Sequence, residues 1–143
     1  MNKFEKTIEI RWSDVDQNRH VRHSAYYDYA AFVRIKCIDE AGFGAKELVQ
    51  NAIGPILFKE ECSFIREIRP EDIIRVNMLK GDIRPDGSRW VIHHEMINQD
   101  DVKVAHLTVH GAWMDTDKRI LTSPPSDLAT AFTELPEGDY YKR

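Results

Sequence analysis

The chain has 143 residues and a formal charge of −4 at pH 7, a length typical of one domain and a charge that argues against nucleic-acid binding. Hydrophobic residues make up 42% and charged residues 31%, a balance that suits a packed globular core and excludes a disordered chain. We therefore expect one domain over residues 1–143. The alternating charges of the N-terminal segment and the lack of a long apolar run predict a cytoplasmic protein that does not cross a membrane.

The first half of the chain predicts one strand followed by one long helix. Apolar residues share one parity over residues 4–12, as in a half-buried strand, and residues 13–19 are rich in turn-forming Asp, Asn and Ser. From Ser24 to Ala41 apolar residues recur at spacings of three and four, which predicts an amphipathic helix. We expect Ser24 to cap this helix, and Gly42 and Gly44 to end it.

The second half predicts a set of antiparallel strands. Strand-like runs cover residues 56–68, 73–83, 89–97 and 102–114, and turn signals separate them, so we expect a meander. A short helix is expected over residues 126–135, after Pro124 and Pro125. The element order predicts an α+β fold in which a curved antiparallel sheet wraps around one central helix. Because such a sheet keeps an open edge, we also expect dimerisation.

A motif joins the first strand to the helix. It contains Asp14-Val15-Asp16 and His20-Val21, and Tyr26 and Arg34 follow within the helix. This pattern resembles the hot-dog acyl-CoA thioesterases of the 4-hydroxybenzoyl-CoA thioesterase type, whose signature reads roughly D-x-D-x-x-G-H-V-N-N-x-x-Y, with a later Arg. The element order agrees with that fold along nearly the whole chain.

The resemblance implies a hot-dog fold, an acyl-CoA substrate and Asp16 as the catalytic carboxylate. It also implies a homodimer with active sites at the interface, or a tetramer built as a dimer of dimers. The chain departs from the signature at four positions. Arg19 replaces the usual Gly, Arg22 and His23 replace the two Asn residues, and Ala31 stands where many members have Glu.

The chemistry of thioester hydrolysis fits these residues. Asp16 can serve as nucleophile or general base, and the backbone amides near His23 and Ser24 can stabilise the oxyanion at the helix N-terminus. His20 and His23 are further catalytic candidates, since either can bond to the thioester or position Asp16. Ser24 and Tyr26 are the substrate-binding candidates.

Several other functions are less well supported by the sequence. No Gly-rich phosphate loop or serine-hydrolase elbow is present, the histidine spacings do not suit a metal site, and the two cysteines read as reduced core thiols, so we predict no metal and no cofactor. A hot-dog hydratase or dehydratase and a non-catalytic acyl-CoA-binding module remain as alternatives. The basic residues that can contact CoA phosphates are Arg66, Arg69, Arg75, Lys80, Arg84 and Arg89.

Overall fold

The computed structural model describes residues 3–138. Its helices are α1 (His23–Glu40), α2 (Ala45–Gln50) and α3 (Ser126–Thr133), and a 3₁₀ turn covers Trp12–Asp14. Its strands are β1 (Phe4–Ile8), β2 (Ile53–Phe64), β3 (Ile74–Ile83), β4 (Arg89–Ile97), β5 (Lys103–Asp115) and β6 (Ile120–Leu121). No helix within residues 3–138 is both long and apolar enough to cross a membrane.

All strand pairs in the sheet are antiparallel, and the strands follow the order β1-β3-β4-β5-β2, with the short β6 added to β5. The meander predicted for the last four strands is therefore correct only for β3, β4 and β5. β2 lies at the far edge because residues 65–73 are too long for a hairpin and carry the chain across the molecule. Ile68, fully buried within that segment, accepts a hydrogen bond from the Val21 amide at 2.8 Å and so docks the crossing segment on the loop before α1.

The long helix α1 packs on one face of this sheet. Its inward side chains fall on one stripe that includes Tyr26, Ala30, Val33 and Cys37, all no more than 5% exposed. The sheet covers them with alternate residues of β3, β4 and β5, such as Val76, Ile92, Leu107 and Val109. Burying one such large aliphatic side chain contributes about 1.5–3 kcal/mol, so this helix–sheet contact supplies most of the fold's hydrophobic stabilisation.

The ends of α1 differ slightly from those predicted. Arg22 occupies the N-cap position without a side-chain cap bond, so the prediction that Ser24 caps the helix is wrong, and Ser24 is instead the second helical residue. At the other end Gly42 has a φ of +99°, a left-handed conformation that glycine adopts without strain. The Phe43 amide then bonds to the Ile38 carbonyl at 3.1 Å, which closes the helix as predicted.

Two strands, β1 and β2, have bounds that differ from those predicted. The first strand ends at Ile8 rather than at residue 12, because its pairing with β3 stops at Ile74 and the chain turns into the 3₁₀ helix. β2 was predicted over residues 56–68, whereas it begins at Ile53, ahead of Pro55, and ends at Phe64. An edge strand tolerates proline because only one side of it needs backbone donors.

The core contains one polar pair between α1 and β4. Arg34 is 6% exposed and its Nη1 lies 3.0 Å from Nε2 of His94, which is fully buried. His94 Nδ1 lies 2.8 Å from the Asn77 carbonyl oxygen, so Nδ1 carries the proton and Nε2 accepts from the guanidinium. Burial, together with the nearby Arg34 charge, lowers the pKa of His94 from 6.5 to about 3.

These buried imidazoles predict a loss of stability in mild acid. Burial and two neighbouring histidines also lower the pKa of His93, from 6.5 to about 4. Between pH 6.5 and 4 the unfolded chain therefore takes up protons that the folded chain does not, and stability falls as pH falls. We expect the free energy of unfolding, measured in urea, to drop by on the order of 2 kcal/mol per histidine from about pH 7 to about pH 5. His93→Gln should make the free energy of unfolding less dependent on pH. An equally steep pH profile in that variant would show that His93 does not contribute to the loss.

Candidate active site

The loop before α1 is organised by a carboxylate that is fully buried, Asp14. Arg11 binds it through the backbone amide, at 3.1 Å from Oδ2, and through Nη2, at 3.0 Å from Oδ1. The Tyr29 hydroxyl on α1 donates to Oδ2 at 2.9 Å, and Arg22 Nη2 lies 3.8 Å from Oδ1. Asp14 therefore joins the 3₁₀ turn to the first turns of the helix.

Two opposing effects act on the ionisation of Asp14. Burial alone would raise its pKa, but the hydrogen bonds from Arg11 and Tyr29 outweigh that effect and hold the pKa below the ordinary value of 3.8. In turn, burial and the bond to Asp14 raise the pKa of Tyr29 well above its ordinary value. The carboxylate is thus charged and the phenol neutral at physiological pH, which is the pairing that the hydrogen bond requires.

Asp16 lies two residues further on, at the tip of a small antiparallel turn. Val15 and Val21 form its β-bridge, and the Asp16 amide donates to the His20 carbonyl at 2.8 Å. The side chain is exposed, and its Oδ1 accepts from the amides of Asn18 at 2.8 Å and His20 at 3.3 Å. Oδ2 makes no hydrogen bond within residues 3–138, so one oxygen orients the side chain and the other stays open to solvent.

Arg19 explains why the related signature has glycine at this position. Its φ is +65°, in the left-handed region, and the turn from Asp16 to His20 requires that conformation. A non-glycine residue there carries a strain of roughly 1 kcal/mol. The replacement of glycine by Arg19 therefore costs some stability but leaves the shape of the turn intact.

The backbone amides at the start of α1 lie beside this turn. The amides of Val21 and Arg22, just before the helix, donate to the carbonyls of Ile68 and Asp14, and the Ala25 amide donates to the Arg22 carbonyl. Among the described residues, the amides of His23 and Ser24 have no acceptor. Two adjacent N–H groups at the positive end of the helix are therefore available to an external oxygen.

The other predicted site residues take different positions around the turn. His20 pairs with Glu67, its Nε2 lying 2.8 Å from Oε2. His23 and Ser24 are exposed, and the Ser24 hydroxyl contacts the Arg22 guanidinium. Tyr26 is only 3% exposed and packs edge-on against the Phe64 ring, with centroids 4.9 Å apart.

An open groove of about 730 Å³ runs past Asp16. Trp12 and Pro70 form part of its wall, and Trp12 is 93% exposed, a high value for so large an apolar side chain. Of the basic residues proposed for CoA phosphates, Arg66 and Arg69 lie in the segment that docks on this loop, and Arg69 pairs with Glu67. Arg75 is paired with Asp101, in the turn between β4 and β5.

A sequence profile of the thioesterase-like superfamily matches residues 10–132. The chain belongs to that superfamily. This match confirms the predicted family, hot-dog acyl-CoA thioesterases, and the enzyme class that comes with it. No curated protein sequence matches the chain.

Solved structures share the fold of this thioesterase-like chain. A hypothetical protein from Staphylococcus aureus, solved in complex with CoA, is 16% identical, with 97% of this chain and 89% of that chain covered and a TM-score of 0.88. A 1,4-dihydroxy-2-naphthoyl-CoA thioesterase from Synechocystis is 13% identical, with 94% and 98% covered and a TM-score of 0.82. A DHNA-CoA thioesterase from Staphylococcus aureus is 15% identical, with 94% and 91% covered and a TM-score of 0.81. At these identities the likeness confirms the hot-dog fold.

Sequence reasoning missed the partners of Asp14 and of Arg34. The Tyr29 hydroxyl binds the Asp14 carboxylate, a contact that the spacing of apolar residues along the helix does not indicate. His94 alternates along β4 with the same set of positions as the buried Trp90, Ile92 and Met96. That parity was the available signal that His94 faces the helix.

The two aspartates of the motif should differ sharply in their effect on stability. Asp14→Asn removes the charge that two arginines and a tyrosine bind, so we expect a loss of about 2–3 kcal/mol in the free energy of unfolding. Asp16→Asn keeps an exposed oxygen that can still accept from the two loop amides, so its effect should stay within about 0.5 kcal/mol. Urea unfolding of both variants gives the comparison. Equal losses would show that Asp14 does not organise the loop.

Proposed function

We propose that this thioesterase-like protein hydrolyses an acyl-CoA thioester to the free acid and CoA, with Asp16 as the catalytic carboxylate. The observation that carries the proposal is the placement of the Asp16 turn directly before the two open amides of α1. A carboxylate and a pair of N–H donors are the two components that acyl transfer requires. Two of the structural relatives are a 1,4-dihydroxy-2-naphthoyl-CoA thioesterase and a DHNA-CoA thioesterase.

The reaction can follow either of two routes from this geometry. The open oxygen of Asp16 can attack the thioester carbonyl carbon, expel the CoA thiolate and form a mixed anhydride that water then cleaves. Alternatively, Asp16 takes a proton from a water molecule that attacks the same carbon, and the tetrahedral intermediate then expels the CoA thiolate. In both routes negative charge develops on the carbonyl oxygen, and the amides of His23 and Ser24 stabilise it. One such donor is typically worth about 3–4 kcal/mol.

His20 has a supporting part in this proposal. Its partner Glu67 lies on the crossing segment, so the contact fastens that segment to the Asp16 turn. The His20 amide also binds Oδ1 of Asp16. His20 therefore positions the carboxylate, and His23 contributes through its backbone amide.

Asp16→Asn should abolish thiol release without unfolding the protein. We expect a loss of at least about 100-fold in kcat on whichever aromatic, short-chain or long-chain acyl-CoA the wild type cleaves, because asparagine cannot act as base or nucleophile at neutral pH. Asp117→Asn, an exposed aspartate in the turn after β5, is the matched control and should keep full activity. Thiol release is followed with a chromogenic thiol reagent.

Assays of enoyl-CoA hydration and of acyl-CoA binding, run beside thiol release, separate the alternatives. A wild type that hydrates enoyl-CoA but releases no thiol would be a hydratase. A wild type that binds acyl-CoA and transforms none of the panel would be the non-catalytic binding module. Either result would refute the hydrolase proposal.

We further propose that the protein works as a homodimer joined through β2. This strand lies at the end of the sheet and is one of the two longest, so its outer backbone groups form a long open edge. Leu57, Phe58 and Phe64 are 44–53% exposed along it. The opposite edge, β1, is shorter and carries charged Glu5 and Lys6, as is usual for an edge that stays unpaired. Two β2 strands paired across a two-fold axis would continue the sheet and bury these side chains.

Phe58→Glu should convert the dimer to a monomer. Phe58 sits at the bulge between Leu57 and Lys59 and is 53% exposed in the single chain, so a charge there opposes association more than folding. Sedimentation equilibrium should give twice the chain mass for the wild type and the chain mass for the variant. Val49→Glu, on the 80%-exposed residue of α2, should stay dimeric. A wild type at the mass of one chain would contradict the proposed dimer.

A further inference from the structure

A cavity of about 200 Å³ lies along the second half of α1, between that helix, α3 and the first half of β2. The helix contributes Ala31, Arg34, Ile35 and Ile38 to its lining. Spacings of three and four residues place these side chains on one side of the helix. At 1.5 Å per residue, that side of the cavity is about 10 Å long. The cavity is therefore an elongated space that follows the helix.

Apolar side chains form most of the lining. The residues from outside α1 are Pro55, Leu57, Trp90 and Phe132. Arg34 is the charged residue of the lining, and its guanidinium is already bonded to His94 and lies 3.8 Å from Glu60. A mostly apolar cavity of this kind is typical of a small-molecule site, and it suits a ligand made of hydrocarbon.

The cavity opens towards the free edge of β2. Ile35 and Leu57 are 52% and 44% exposed, so they lie at its mouth, whereas Ile38 and Phe132 are each 2% exposed and form its floor. β2 is also the strand through which we propose that two protomers join. A ligand would therefore enter the cavity from the side on which the partner protomer lies.

We infer that this cavity binds the far end of an unbranched, saturated acyl chain, and that the protein favours acyl groups of about eight to twelve carbons. The inference rests on the proposed thioesterase function and on the proposed dimer. An apolar cavity of roughly 150 Å³ holds a benzene molecule, which has six carbons. By the same proportion, a cavity of about 200 Å³ has room for roughly eight carbons.

The proposed dimer would connect the cavity of one protomer to the Asp16 turn of the other. Phe64, at the C-terminal end of β2, packs on Tyr26 near the start of α1, whereas Leu57 in the first half of β2 lines the cavity. When two β2 strands pair antiparallel along their length, the first half of one lies beside the second half of the other. Neighbouring strands are about 4.8 Å apart, a distance that about four carbons of an extended chain can cross. Roughly four carbons outside the cavity and eight inside it give the upper limit of about twelve.

A saturated chain fits this space better than a single ring or a polar group. An aromatic ring is shorter than the wall of about 10 Å and would leave part of the cavity empty. A hydroxyl or carboxylate at the far end would lose its hydration against apolar side chains. Each methylene group buried here should tighten binding about twofold to fourfold, until the cavity is full.

Binding of a series of acyl-CoAs tests the inference without hydrolysis. The Asp16→Asn protein is titrated with butanoyl-, octanoyl-, dodecanoyl- and hexadecanoyl-CoA in a calorimeter. We expect Kd to fall at least about tenfold from octanoyl-CoA to dodecanoyl-CoA and to fall no further for hexadecanoyl-CoA, because the cavity is then full. A Kd that keeps falling to hexadecanoyl-CoA would refute the size limit. A Kd that does not depend on chain length would show that the chain does not enter the cavity.

Ala31 offers a variant that fills the cavity from its wall. Ala31→Leu, made in the Asp16→Asn protein, adds three carbons, so the gain from octanoyl-CoA to dodecanoyl-CoA should shrink to less than about threefold while butanoyl-CoA binds as before. Ala31→Val adds two carbons and should give an intermediate gain. Ala45→Leu, at the exposed first residue of α2, is the matched control and should change nothing. The same profile in Ala31→Leu and in the control would refute the inference.

Turnover by the wild type separates this inference from the proposed function. We expect kcat/KM to follow the same order as binding, and to be higher for dodecanoyl-CoA than for 4-hydroxybenzoyl-CoA. A preference for the aromatic substrate would refute the inference and leave the hydrolase proposal intact. Binding that depends on chain length as expected, in a protein that cleaves no thioester, would support the cavity as an acyl site and refute the hydrolase proposal alone.

Discussion

The end of the molecule that holds the Asp16 turn depends on the buried carboxylate of Asp14. A charge at 0% exposure is stable only when donors surround it, and here the donors come from two separate parts of the chain: Arg11 before the turn and Tyr29 on the helix. Their convergence sets the angle at which the chain enters α1. Both the Asp16 turn and the two open helix amides take their positions from that angle. Asp14, which has no part in the proposed chemistry, therefore determines the geometry of Asp16, the proposed catalytic carboxylate.

The other end of α1 is organised by a second buried charge. Arg34 is held between neutral His94 and the more distant Glu60, so the helix carries a cation into the core with only part of its donor capacity used. A buried ion pair of this kind contributes little to net stability. It does fix where the helix lies on the sheet, because the guanidinium must reach His94 on β4.

Residue pattern alone was sufficient to locate most of the helices and strands. Period-two alternation predicted β4 with its exact bounds and β3 to within one residue, and the three-and-four spacing predicted α1, because local periodicity reflects which face each side chain buries. The D-x-D motif is also the basis of the prediction that Asp16 and the helix N-terminus carry the chemistry. Strand order could not be read in this way, since the position of β2 beside β5 depends on the path of a crossing segment rather than on alternation. The hydrogen-bond partners of Asp14 and Arg34 could not be predicted from the pattern either. Tyr29 is 15 residues from Asp14 and His94 is 60 residues from Arg34. Only the packing of the tertiary structure brings such distant donors and acceptors within bonding distance.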